Sequence, residues 1–212
     1  MDMERTLVLL KPDAILRRQV GVDVLKSIEK LENVSILAFK EDEVPESVAR
    51  AHYAEHEEKP FFLPLIDMIT LPTGICALIL EGEGVVSKVR TLLGPTFIGK
   101  AKEEAPDSLR GRYGVWQGIN VAHASDSPES GARETDLWQK KFGLKIKPVK
   151  AVKAVKNYIK RWDGKFPEHS DAIQSIGRTM YEEVQELVEL IKEESDVEEN
   201  EIKTLISILT RL

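Results

Sequence analysis

The segment Asn120-Val121-Ala122-His123-Ala124-Ser125-Asp126-Ser127, with Glu134 eleven residues past the histidine, holds the residue types of a histidine nucleophile and its support. Such catalysis needs a neutral imidazole held in one tautomer by a group behind it. A histidine at the end of an apolar strand, expected here over Val115 to Ala122, has one face for a substrate and one ring nitrogen for a holding partner. Ser127-Pro128-Glu129 reads as a helix start, with serine as N-cap, proline at the first position and an acid in the first turn. Glu134 then lies about two turns into that helix and can point back at His123. The same window also fits a histidine that merely ends a strand with a hydrogen bond.

Several other segments carry more weight together than singly. Glu4-Arg5-Thr6-Leu7-Val8-Leu9-Leu10-Lys11-Pro12-Asp13-Ala14, His52-Tyr53-Ala54-Glu55-His56, Lys59-Pro60-Phe61-Phe62, Arg90-x-x-Leu93-Gly94-x-Thr96 and Leu109-Arg110-Gly111 precede the histidine segment. In order and near-spacing they resemble nucleoside diphosphate kinases over residues 4 to about 138. The resemblance implies transfer of a γ-phosphate from a nucleoside triphosphate to a nucleoside diphosphate, in two steps through a phosphohistidine at His123. It implies Lys11, Arg90 and Arg110 as phosphate-neutralising cations and Thr96 as a hydroxyl donor. Tyr53 resembles the phenol that orients Lys11 and the transferred phosphate, Phe61 the aromatic under the base, and Asn120 the ribose contact. Glu134, with Ser125, resembles the group that holds the imidazole. Mg²⁺ is implied as cofactor, bridging nucleotide phosphates with few protein ligands. The family assembles as hexamers or tetramers through dimers, so a homo-oligomer is expected.

The chain also departs from that pattern. Phe97 to Leu109 is longer by a few residues, without the usual Asn-Pro after the threonine or Gly-Thr before Leu-Arg-Gly. Arg112 stands where the family usually has aspartate, Ile119 where it often has arginine, and Leu71-Pro72-Thr73 lacks the usual Ser-Gly-Pro. Gly94 to Ala101 nearly spells the phosphate loop G-x-x-x-x-G-K-[ST], but Ala101 replaces the magnesium-binding hydroxyl and a helix precedes it.

The elements that must position these groups are legible from periodicity. Thr6 to Leu10, Val34 to Phe39 and Ile75 to Leu80 read as strands, the first and last as fully buried ones. Gly21 to Leu31, Pro45 to His56, Pro60 to Ile69 and Val85 to Leu93 read as helices, while 97 to 109 shows no clear pattern. Strand, helix, strand, helices, strand, helix, strand predicts a ferredoxin-like α/β sandwich, with helices on one face of a four-stranded antiparallel sheet. The resemblance implies the same fold.

After residue 144 the composition changes, so the chain divides by composition into 1–144 and a helical extension, 145–212. Val149, Val152, Val155, Ile159 and Trp162 make the apolar stripe of a lysine-rich helix, and Ile173, Ile176, Met180, Val184, Leu187 and Ile191 that of an acidic one. Asp196 and Glu199 are expected to open a last helix through Ile202, Leu205, Ile206, Leu209 and Leu212.

A net charge of -6 argues against nucleic acid as a partner of the whole molecule. The single cysteine, Cys76, lies in an apolar run, which excludes an intrachain disulfide and fits a reducing compartment. No apolar run approaches the roughly 18 residues of a membrane span, and the expected location is cytoplasmic. A rival reading is a nucleotide-binding scaffold whose C-terminal helices bind a partner, against which stands the intact pair His123 and Glu134. A third adds an anionic surface bound by the basic helix from Lys147 to Arg161.

Overall fold

The computed structural model describes residues 3–116, 118–194 and 202 of the chain. Four strands, β1 (Met3–Leu10), β2 (Val34–Asp42), β3 (Ile75–Glu83) and β4 (Ala122–Ala124), form an antiparallel sheet in the order β2-β3-β1-β4. Along the chain run α1 (Pro12–Leu16), α2 (Arg18–Glu29), α3 (Glu46–His52), a 3₁₀ turn (Ala54–His56), α4 (Phe62–Ile69) and α5 (Val85–Leu93). Then come α6 (Ile98–Glu104), α7 (Leu109–Tyr113), α8 (Pro128–Lys141), α9 (Pro148–Trp162) and α10 (Ser170–Glu193). The expected ferredoxin-like sheet is present.

Helices cover both faces of that sheet, not one. Val8 and Leu10 of β1 with Cys76, Leu78 and Leu80 of β3 pack on α2, α5 and α9, while Leu7, Leu9, Ala77 and Ile79 pack on α3, α4 and α8. The reason lies in the central strands, whose apolar runs have no polar alternate and so must bury both sides.

The last strand differs more. Residues 115, 116 and 118 to 121 lie outside any strand, with Val115 N–H bonded to Ile119 O at 2.9 Å and Ile119 N–H to Trp116 O at 3.0 Å. Pairing with β1 begins only at Ala122, so His123 sits inside a three-residue strand opposite Leu9 and not beyond its end. Residues 97 to 109 form α6 and the start of α7. Gly94, at φ +79°, lies so close to Ser108 that a Cβ there would meet its Oγ at 2.1 Å. Ser108 caps α7 by accepting from Gly111 N–H. The extra residues therefore leave and rejoin the fold at adjacent points.

Composition changes at residue 145, but packing divides at residue 169, into Met1–Glu168 and His169–Leu212. The basic helix α9 belongs to the first unit, with Ala151, Val155 and Tyr158 in the core and Val149 86% exposed. Its Tyr158 hydroxyl would lie 2.7 Å from a Cβ on Gly21, so only glycine lets α2 and α9 meet this closely. In the second unit α10 buries Val188 with Ile202, supported by Val184 and Ile191, and exposes Ile176, Met180, Leu187 and Leu190. Except for Ile202, the helix expected to open at Asp196 lies outside the described residues.

Candidate active site

The imidazole is held from behind as its spacing to the acid suggests. Ser127 accepts from Ser130 N–H at 3.1 Å and Ser130 returns the bond to the Ser127 N–H at 2.9 Å, so α8 starts with a closed capping box. From that start Glu134 turns inward, buried, and its Oε2 lies 2.9 Å from His123 Nε2. Ser125 Oγ donates to the same oxygen at 2.8 Å while accepting from Leu7 N–H at 3.1 Å. An ionised carboxylate has no proton to give, so Nε2 carries the hydrogen and Nδ1 the free lone pair.

Beside it stands a residue that sequence reasoning passed over. His52, at the end of α3, packs edge-to-face on His123 with ring centroids 4.7 Å apart. Trp138 Nε1–H donates to its Nδ1 at 3.2 Å, which leaves the proton of the neutral ring on a buried Nε2 that has no hydrogen-bond partner. Burial, with help from His123, pushes its pKa well below the usual histidine value. His52, His123 and Glu134 form the one group of possible metal ligands among the described residues, with ligand atoms within 4.8 Å. It is a poor one, because the His52 and His123 Nε2 atoms carry protons and Glu134 is already engaged. His52 opens the segment His52-Tyr53-Ala54-Glu55-His56 but carries no role there, since its partner Trp138 is 86 residues away.

The cations converge on the same cleft. Lys11 follows β1 and is set by Pro12 at the start of α1; its Nζ donates to Asn120 Oδ1 at 2.7 Å and to Gly118 O at 3.1 Å. Burial lowers its pKa to about 8, against the raising effect of Asp13, and Arg110 lowers it further. Asp13 is half-buried; its Oδ2 accepts from Val121 N–H at 2.9 Å, and desolvation raises its pKa. Arg110 donates to the carbonyls of Gly94, Asn120 and Ala122 and to Thr96 Oγ1 at 3.3 Å. Burial and the neighbouring Arg90 bring its pKa down to about 10, so it stays charged at neutral pH. The helical insertion α6 thus leaves Thr96 and Arg110 touching. Arg90 is exposed on the last turn of α5.

Tyr53, at the end of α3, is buried with its hydroxyl unpartnered, and desolvation raises its pKa, so it stays a donor. Phe61 is 52% exposed at the start of α4. Lys11, Tyr53, Phe61, Arg90, Thr96, Arg110, Asn120, His123 and Glu134 all line one cleft of about 780 Å³, and Ser125 lies directly behind it. Lys100 of the near-match to a phosphate loop does not line this cleft. The arrangement offers a bare imidazole nitrogen, several buried or half-buried donors and three cations, which suits attack on a phosphoryl group.

Known proteins resemble this chain in sequence and fold. The pattern of the nucleoside diphosphate kinase family matches residues 4–160. A nucleoside diphosphate kinase of Archaeoglobus fulgidus is 43% identical over 136 residues, 64% of this chain and 86% of that protein. One from Thermococcus kodakarensis is 43% identical over 142 residues, 66% of this chain and 78% of that protein. Among solved structures, a halophilic nucleoside diphosphate kinase from Halobacterium salinarum in complex with CDP superposes with a TM-score of 0.60 at 34% identity, covering 73% of this chain and 99% of that one. The Aquifex aeolicus nucleoside diphosphate kinase gives 0.59 at 34% identity, covering 68% and 100%.

Proposed function

The chain belongs to the nucleoside diphosphate kinase family, and we propose that it carries out that family's reaction in two displacements through His123. In the first, the Nδ1 lone pair forms a bond to the γ-phosphorus of a nucleoside triphosphate, and the bond to the bridging oxygen breaks with its electron pair leaving on the nucleoside diphosphate. In the second, a terminal oxygen of another nucleoside diphosphate attacks the same phosphorus, and the P–N electron pair returns to Nδ1. The observation that carries this reading is the 2.9 Å contact of His123 Nε2 with Glu134, which leaves Nδ1 as the nucleophilic atom. No proton has to move in either step, because the hydrogen stays on Nε2 and is donated to the Glu134 carboxylate throughout.

The remaining groups position and neutralise. Lys11, Arg90 and Arg110 balance phosphate charge, Tyr53 and Thr96 supply hydroxyl hydrogens, Asn120 meets the ribose, and Phe61 offers a ring to the base. Ser125 with Glu134 keeps the imidazole in register. Mg²⁺ fits a site of this composition: Asp126 lines the cleft, and the Ser130 hydroxyl first among several contacts holds its carboxyl below the usual range, so it can bind a hydrated ion carried on the phosphates. When bound, the ion neutralises phosphate charge and aligns the chain of phosphates. Cys76 is buried and free, in keeping with a reducing cytoplasm, and no helix among the described residues is long and apolar enough to cross a membrane. A homo-oligomer is part of the same reading.

The test is intact-protein mass after brief incubation with ATP and Mg²⁺, then GDP, on wild type and His123→Ala. One acid-labile phosphoryl group that GDP removes and the variant lacks is expected. Nucleotide binding without any phosphoenzyme would instead favour the scaffold reading.

A further inference from the structure

Helix α8 presents two side chains, one turn apart, to the same place. Glu134 reaches His123, and Trp138, the next residue on that face, donates its indole N–H to His52 Nδ1 at 3.2 Å. Trp138 is fully buried and packs on Phe142 with ring centroids 4.8 Å apart, which holds the indole in place. His52 in turn stands nearly perpendicular to His123, and a ring nitrogen of each lies within 4.8 Å of a Glu134 carboxylate oxygen. Two imidazoles thus share the surroundings of one carboxylate, and transfer uses only one of them. A second imidazole that took a proton here would compete for Glu134, whose Oε2 already serves His123 and Ser125. The bond from Trp138 works against that. The bare nitrogen of His52 is the one that the indole hydrogen faces, and a proton there would set two donors against each other in a buried site.

We infer that His52 and Trp138 are positioning residues of the transfer reaction: the indole keeps His52 a neutral ring, which braces His123 and leaves the Glu134 carboxylate to His123 alone. The inference rests on the transfer reading above, which makes His123 the nucleophile. Neither residue takes part in a bond that forms or breaks. The titratable groups around His52 are His123 from β4, Arg133 and Glu134 from α8, and Tyr53, Glu55 and His56 just beyond the end of α3. Burial first, then His123, Arg133 and His56, stands against a charge on this ring, while the buried carboxylate of Glu134 invites one. The indole settles that contest through geometry, by occupying the nitrogen that would receive the proton.

The test joins histidine nitrogen NMR of wild type with single-turnover phosphoenzyme formation from ATP and Mg²⁺, both from about pH 5 to 8. In wild type His52, identified by its loss in His52→Phe, should keep one bare and one protonated nitrogen over the whole range. The acid limb of the wild-type rate should fall about tenfold per pH unit, for the one proton that silences His123. Trp138→Phe frees the second nitrogen, and its limb should steepen toward about a hundredfold per unit; adding His52→Phe should return it to about tenfold. A purely structural loss would slow all pH values alike. If Trp138→Phe does not fold, His52→Phe and His52→Ala carry the comparison. His52→Phe, which keeps a neutral ring against His123, should transfer at pH 7 within about threefold of wild type, and His52→Ala about tenfold slower, with ATP affinity unchanged in both. A His52 that gains a proton in wild type, a Trp138→Phe limb of wild-type slope, or equal losses in His52→Phe and His52→Ala would overturn the assignment and leave the transfer reading intact. Wild type that forms no phosphoenzyme would overturn both.

Discussion

Lys11 donates to Asn120 at 2.7 Å, so the cation proposed for phosphate and the amide proposed for ribose are already locked together without nucleotide. The same bond keeps a buried ammonium in place at a cost. Its pKa of about 8 lies below the ordinary 10.5, so the unfolded chain binds its proton more tightly than the folded one. The cost is full below pH 8 and fades as pH rises from 8 toward 10.5. Activity runs the other way, because the charge is lost over that rise. Turnover at subsaturating nucleotide should therefore fall above pH 8. Lys11→Met should lose that limb with nearly all activity, yet melt higher at pH 7 by about 2–4 °C per kcal/mol recovered.

Glu134→Gln keeps an oxygen for the imidazole N–H but removes the negative charge that both His123 and Ser125 address. Phosphoenzyme formation should slow about 10- to 100-fold, with nucleotide affinity little altered. Ser125→Ala should slow it by less, and the double variant should fall short of the product of the two, since both act on one oxygen. Single-turnover mass measurements separate these cases.

Gly131 sits on α8 one turn before Glu134, and a Cβ there would meet the backbone oxygen of Arg5 at 2.1 Å. Because that oxygen belongs to β1, it cannot swing aside. Gly131→Ala should destabilise the fold by about 2–3 kcal/mol and also slow transfer, as the helix bearing Glu134 is lifted from the sheet. Thermal melting and phosphoenzyme yield read the two effects.

Ending the chain at Glu168 should leave a cooperatively melting, active unit, since every proposed site residue lies before that point. Ending it at Leu144 should not, because Ala151, Val155 and Tyr158 leave with α9. The two truncations, compared by circular dichroism and by phosphoenzyme formation, decide whether composition or packing marks the boundary.

What the sequence revealed and what it hid have separate physical causes. The Ser127-Pro128 helix start and the spacing from His123 to Glu134 are local, and local chemistry is written in order along the chain. The uninterrupted runs in β1 and β3 already called for burial on both faces, although the expected layer count was one too few. In the segment 115 to 122, apolar content suggested a strand, but Val115 and Ile119 spend their backbone bonds within the segment and not on a neighbouring strand. For α9 the apolar stripe was correct at Val155 and misleading at Val149, because Gly21 on a distant helix decides which side Tyr158 can enter. The role of His52, though its segment was legible, was hidden for the same reason, its tautomer being set by Trp138 from another helix.

Val121 has φ +76°, a conformation that a β-branched residue adopts only at a cost of about 1–3 kcal/mol. Its two backbone polar groups point to one place: the N–H to Asp13 and the carbonyl to the N–H of Lys11. That single peptide-length splice joins the ends of β1 and β4 beside the proposed nucleophile. The backbones that carry His123 and Lys11, the nucleophile and cation proposed for transfer, are thereby tied through β-strand hydrogen bonds and not through the looser packing of helices. Thermal breathing of the outer layers, or remodelling of the loop beyond Thr96, is then expected to change how fast nucleotide enters and leaves without shifting the proposed pair.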